Sequence, residues 1–143
     1  MSIRRRERGS ASIEAAIAVP AFGLFVGLII FGGRTAITQQ SVESAASDAA
    51  RSASILRTDT EAKSAAQKAA STSLNNQGIN CLRIDVAVNT QQFSRSVGEQ
   101  AQVEVTVSCL LDLADLSVPG VPGTRTISAT MTSPLDTWRE RSG

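Results

Sequence analysis

The longest apolar stretch of the chain, Ala15 to Gly33, contains no charged residue. Wound as a helix it would be about 28 Å long, close to the roughly 30 Å thickness of a bilayer's hydrocarbon core, and no second run of that length follows. Beyond Gly33 the apolar positions shrink to alanine and thin to a stripe. Val42, Ala46, Ala49, Ala53 and Leu56 recur at alternating steps of four and three, while Gln39, Gln40, Glu43, Ser44, Asp48 and Arg51 fall on the other faces. No helix breaker intervenes before Arg57. The pattern therefore predicts one helix from Ser10 to Arg57, roughly 72 Å long, half apolar enough for lipid and half a continuation outside it. Its seam of small residues packs either on the protein's own sheet or on another subunit.

Thr58-Asp59-Thr60-Glu61 reads as a capping box, which starts a second helix. Its stripe is Ala62, Ala65, Ala66, Ala69 and Leu74, and Asn75-Asn76-Gln77-Gly78 supplies its end. From Cys81 the period changes to two. Leu82, Ile84, Val86 and Val88 alternate with polar or small residues, as do Val103, Val105 and Val107, and then Ile127, Ala129 and Met131. Gln91, Gln92, Ser94, Ser96 and Gly98 form the first connection, and Pro119-Gly120 with Pro122-Gly123 break the second. The expected class is α+β: a long N-terminal transmembrane helix, a second helix, and a three-stranded antiparallel meander whose apolar face is buried against the helices. Setting all apolar side chains of the first two strands on one face places Leu82 opposite Cys109 and Ile84 opposite Val107.

Charge orients the span. Arg4, Arg5, Arg6 and Arg8 precede it against Glu7, whereas the far flank offers Arg34 and then no charge until Glu43, so the N-terminus is expected in the cytoplasm and the rest outside. A cleaved secretory signal fits less well, because the apolar run exceeds the roughly 7–15 residues usual there and no small-x-small site follows it. Both cysteines, Cys81 and Cys109, then lie outside the cytoplasm, where an even count favours a disulfide. In the register above Cys81 points away from the apolar face, so the bond requires Cys81 to sit just outside the strand, or a bulge. Net charge is +1, and nothing after Thr58 resembles a nucleic-acid surface. Histidine and tyrosine are absent, and no nucleotide-binding glycine loop or clustered carboxylates replace them. No catalytic residue, metal set or cofactor is expected, and the chain reads as a non-enzyme.

Two features of the span carry their own expectations. Pro20 leaves the carbonyl of Ala16 without its usual partner, which predicts a mild kink. Gly23 and Gly27 form a GxxxG pair, a spacing that lets helices approach closely.

The segment Arg8-Gly9-Ser10-Ala11-Ser12-Ile13-Glu14 is more specific than hydrophobicity. A glycine before the apolar run with glutamate five residues later resembles the type IV prepilin processing site, cut after the glycine by a membrane peptidase on the cytoplasmic face. With Val19-Pro20, Phe31-Gly32 and the alanine-rich continuation, it resembles the TadE-like family of tight-adherence (Flp) pilus assembly proteins. The tail from Thr132 to Arg139, Thr-Ser-Pro-Leu-Asp-Thr-Trp-Arg, is similar to the ends of actinobacterial members. The family usually places an aromatic residue after the glutamate; here it is Ala15. The resemblance implies a processing site at Gly9, Ser10 and Glu14, with Ser10 as the new N-terminus. A carboxylate at the edge of a bilayer core costs a few kcal/mol unless paired or in the headgroups. Glu14 would either pair with the free amine of a neighbouring Ser10 or lie solvated beside the arginines.

The resulting organisation is a cytoplasmic basic leader over residues 1–9, a transmembrane helix over 10–33, its extracytoplasmic continuation over 34–57, and a helix-plus-sheet domain over 58–143. The resemblance implies a pilin-like structural or assembly component of a tight-adherence pilus in the cell membrane. Its partners would be other pilin-like subunits, the Tad membrane assembly platform, a prepilin peptidase and membrane lipid, with no nucleic acid. The alternatives are a pseudopilin of a secretion or DNA-uptake system and a membrane-anchored extracytoplasmic receptor or sensor. Trp138, the only tryptophan, is expected as a local packing residue near the terminus, or docked on a helix or partner.

Overall fold

A computed structural model of the chain describes residues 7–113, 123–138 and 140, with side chains from residue 12 onward. The elements are α1 (Glu7–Ser54), α2 (Asp59–Asn76), β1 (Arg83–Asn89), a 3-10 turn (Gln91–Ser94), β2 (Gln102–Asp112) and β3 (Thr124–Pro134). The arginines Arg4, Arg5 and Arg6 and the turn dipeptide Pro119-Gly120 lie outside the described residues, as do Pro122 and Arg139. The chain divides into two units, Met1–Arg34 and Thr35–Gly143, with α1 running through the division.

In the first unit α1 continues through Pro20. Ile13, Ile17, Phe22, Phe25, Leu28 and Ile29 are exposed around one half of the helix, and Val19 and Ile30 are exposed on the other. A helix that is apolar all round belongs in a protein core or a membrane. Ser12–Ser54 is long enough to cross one, and its most apolar window has a mean hydropathy of 2.3 with none of it buried.

The second unit is an α+β layer pair. From α1 it takes the buried residues Thr38, Ser41, Val42, Ala45, Ala46, Ala49, Ala50 and Ala53, two adjacent columns of one amphipathic face. That face is wider than the single seam expected from sequence, since Ala45 and Ala50 join it. Leu56 lies beyond the helix end, half-buried. The seam is filled by the chain's own core.

Helix α2 starts where the capping residues place it. The Glu61 amide donates to Thr58 Oγ1 at 3.3 Å, while the Thr58 hydroxyl donates to the Glu61 carboxylate at 2.9 Å. The reciprocal contact thus runs side chain to side chain rather than back to the Thr58 amide. At the other end Gly78 takes φ 69°, and the amides of Gly78 and Ile79 donate to Asn75 and Leu74. Only glycine holds that left-handed conformation without steric cost. The buried column of α2 is Ala62, Ala66, Ala70 and Leu74. Ala65 and Ala69 are half-exposed, which corrects the expected stripe: contact follows an i+4 ridge, which winds across the helix.

The three strands form an antiparallel meander in the order β1-β2-β3. Val103, Val105, Val107, Cys109 and Leu111 of the central strand are buried, flanked by Ile127 and Ala129 of β3 and by the half-buried Ile84, Val86 and Val88 of β1. The register differs from expectation by two residues: Ile84 pairs with Cys109 and Val86 with Val107. A two-residue slip keeps every side chain on its face, so face alternation alone could not have selected between them. The reason lies outside the strand pattern. Leu82, expected inside, precedes β1 and is 60% exposed, and this end of the pair is tied by the Cys81–Cys109 bond and by the Leu82 amide donating to the Leu110 carbonyl at 2.7 Å.

Candidate functional site

The sequence points to the N-terminal end of α1. Gly9 and Ser10 lie near the described start of that helix. Their side-chain surroundings, like those of Arg8, fall outside the described residues. Glu14 is exposed on the helix one turn later. It shares a face with position 10, about 6 Å further along the axis, so an amine at Ser10 and this carboxylate would be spaced as an i,i+4 pair. Further on, Gly23 and Gly27 lie one turn apart on one face, and a methyl group added at either would meet nothing within 4 Å. Packing within the chain therefore does not require glycine there.

The second unit contributes a disulfide and two concavities. Cys81 is bonded to Cys109 with their Cα atoms 5.4 Å apart. Cys109 sits on the inner face of β2, and Cys81 lies just before β1, free of the strand's alternation, so its side chain can turn inward. The bond ties the segment leaving α2 to the central strand. Between α1 and α2 runs a groove of about 690 Å³, floored by Leu56, Ala65 and Ala69 and crossed by a hydrogen bond from Ser73 to Asp48 of 2.7 Å.

The other concavity, a cleft of about 550 Å³, lies where the turn after β1 meets the end of β3. Backbone bonds from Leu135 N to Ala101 O (2.9 Å) and from Gly98 N to Thr137 O (2.8 Å) fix its walls. The Gln102 amide donates to Gln92 Oε1 at 2.8 Å, and Arg95 Nη1 donates to the Gln100 carbonyl at 2.8 Å. The stretch expected as a plain connection thus holds a cleft wall and, separately, the fully buried Phe93. The available signal was one aromatic residue, Phe93, isolated among glutamines and serines. Trp138 is 81% exposed, which corrects the expectation of local packing: Leu135 fills the space under the tail instead.

Asp59 joins the start of α2 to the end of β1. Lys63 donates to its carboxylate at 2.7 Å and the Thr90 hydroxyl donates to its other oxygen. These two donors, Lys63 first, hold its pKa below the ordinary value. Among the described residues no three potential metal ligands cluster.

Residues 9–51 match the family model for TadE-like protein. No curated protein and no solved structure matches the chain. The matched segment takes in Gly9, Ser10, Glu14, the whole apolar run and most of the alanine stripe. Over Gly9 to Arg51 the chain is similar to TadE-like protein.

Proposed function

We propose that the protein is a structural or assembly component of a tight-adherence pilus, a minor pilin or pseudopilin held by one transmembrane helix. The observation that carries the reading is the coincidence of the TadE-like match with an apolar helix none of whose most hydrophobic window is buried. The arginine knot keeps the N-terminus in the cytoplasm, and the disulfide belongs to the opposite, oxidising side. A prepilin peptidase removes Met1 to Gly9 at the cytoplasmic face, leaving Ser10 as the first residue. Glu14 then pairs with a Ser10 amine in the assembled subunits, and the Gly23 and Gly27 face receives a neighbouring helix. The chain performs no reaction; its partners are other pilin-like subunits and the membrane assembly platform.

The test is the N-terminal residue and mass of the protein from pilus-producing cells with and without the peptidase. Processing predicts a chain beginning at Ser10 only where the peptidase is present. Gly9→Val should stop the cut and leave an anchored, heavier chain. Glu14→Ala should still insert, because removing a carboxylate makes the span more apolar, yet fail to assemble. A full-length chain in both strains would sink processing and leave a fixed membrane scaffold as the better account.

A further inference from the structure

The cleft beside the C-terminal tail has a lining with a definite chemistry. Gln92, Gln100, Gln102 and Thr137 line it, and each carries a side chain that can both donate and accept hydrogen bonds. No carboxylate is among the lining residues, which disfavours a cation. Gln92 uses its carbonyl oxygen on the Gln102 backbone, and that bond orients its amide nitrogen. Arg95 is fixed by the Gln100 carbonyl and makes no ion pair among the described residues, so part of its guanidinium remains to donate. The floor is apolar, made by Ala101 and the buried Leu135. Next to Thr137 in the chain stands Trp138, the only tryptophan, with its indole turned to solvent.

We infer that this cleft is a saccharide-binding site. Sugar hydroxyls are donors and acceptors at once, and amide and hydroxyl side chains answer them in kind, whereas a charged peptide end or a metal would need a more polarised set. A pyranose also has a face of C–H bonds, which stacks on an aromatic face. The cleft supplies the amide half, and the exposed indole of Trp138, the residue after the cleft-lining Thr137, supplies the aromatic half. The volume is within the roughly 300–1,000 Å³ of small-ligand sites, and the two backbone bonds hold the walls in place before binding, which lowers the ordering cost. Arg95 adds a preference for sugars bearing a carboxylate, since a guanidinium pairs with carboxylates in a charge-assisted bond. The inference does not rest on the pilus reading: it concerns a surface outside the TadE-like match, and its test involves neither peptidase nor assembly.

Because Trp138 is the sole indole and tyrosine is absent, the indole emission comes from one residue, the neighbour of the cleft-lining Thr137. The full-length chain, carried in phosphatidylcholine vesicles to avoid sugar-headed detergents, is titrated with maltopentaose, cellopentaose, mannopentaose and a galacturonate pentamer. The expected result is a saturable emission change with at least one of them at about 1 mM or below. Gln100→Ala should weaken that response about tenfold, and Thr106→Ala on the outer sheet face should not. Trp138→Ala, read by calorimetry and with circular dichroism confirming the fold, should also lose binding. Absence of saturation with all four sugars would overturn the inference. So would a response unchanged by both Gln100→Ala and Trp138→Ala, or an equal response to an acetylated tetrapeptide carboxylate.

Discussion

Helix α1 carries Leu24 at 73% exposure and, further along the same helix, Ala46 at 0%. Before Arg34 the large apolar side chains are uncovered; after Thr35 one face carries mostly small side chains, and that face is buried. In water the first pattern would be unstable, since each large aliphatic side chain left exposed forgoes about 1.5–3 kcal/mol. The second would be unremarkable in any aqueous protein. What differs is the solvent each half is built for: the first is matched to lipid, and the second buries alanines in the core of an aqueous domain. Hydrophobicity alone therefore misjudges where the folding energy of the domain resides. It lies in residues such as Phe93 and Val105, whose contribution depends on close packing, and not in the more apolar run.

The sharpest way to break this contrast is to remove the largest fully buried side chain of the domain. Phe93→Ala should cost the second unit about 3–5 kcal/mol, read as a lower denaturation midpoint in the detergent-solubilised chain. Membrane fractionation should not change. If the span released with the domain's unfolding, the two halves would not be energetically separate.

Next in size is the disulfide. Replacing both Cys81 and Cys109 by serine should cost about 3–4 kcal/mol on the chain-entropy model, again confined to the domain. Mass spectrometry of unreduced peptides should show the two joined. Quantitative alkylation of both thiols without reductant, in protein from the envelope, would show that the bond does not form.

A matched pair of substitutions then tests the contrast on one helix. Ala49→Leu should cost about 1–3 kcal/mol, because Ala49 has no exposed surface and extra atoms must displace packed neighbours. Ala18→Leu, exposed on the same helix, should leave the domain's unfolding midpoint where it was and make the span more apolar. Equal effects from the two would contradict the division at Arg34.

These cases also show what sequence could and could not reveal. The span, the two helices and the meander were legible because each has a different period: none, 3.6 and two. Within the alanine stripe the contrast between apolar and polar is weak, so Ala45 and Ala50 were lost from one face and Ala65 and Ala69 were overcounted on another. The strand register was not legible because face alternation is unchanged by a slip of two. The disulfide was legible through compartment and count, and Cys81 took the position outside the strand that the bond required. The cleft was invisible for a different reason: its lining comes from Gln92 and Thr137, far apart in sequence, and glutamine carries no periodic signal.

The smallest expected effect concerns Asp59, which links α2 to β1 on the exposed side of the domain. Its carboxylate receives Lys63 and Thr90 donors only in the folded chain, so its folded pKa lies below the ordinary 3.8. The unfolded state therefore takes up its proton first as pH falls. The stabilisation is complete above the unfolded pKa and is lost as pH drops through the folded one. Asp59→Asn removes the charge while keeping an oxygen that can accept from Thr90. Denaturation midpoints of the wild type and this variant should be separated, modestly, from pH 5 to 7, with the wild type more stable. They should converge in acid, where the wild-type carboxyl is also neutral. Because Lys63 and Asp59 are both substantially exposed, salt at about 1 M should shrink the gap at neutral pH, the Debye length there being about 3 Å. A gap that stayed constant down to strong acid would mean that the substitution acts through the helix start itself and not through the charge.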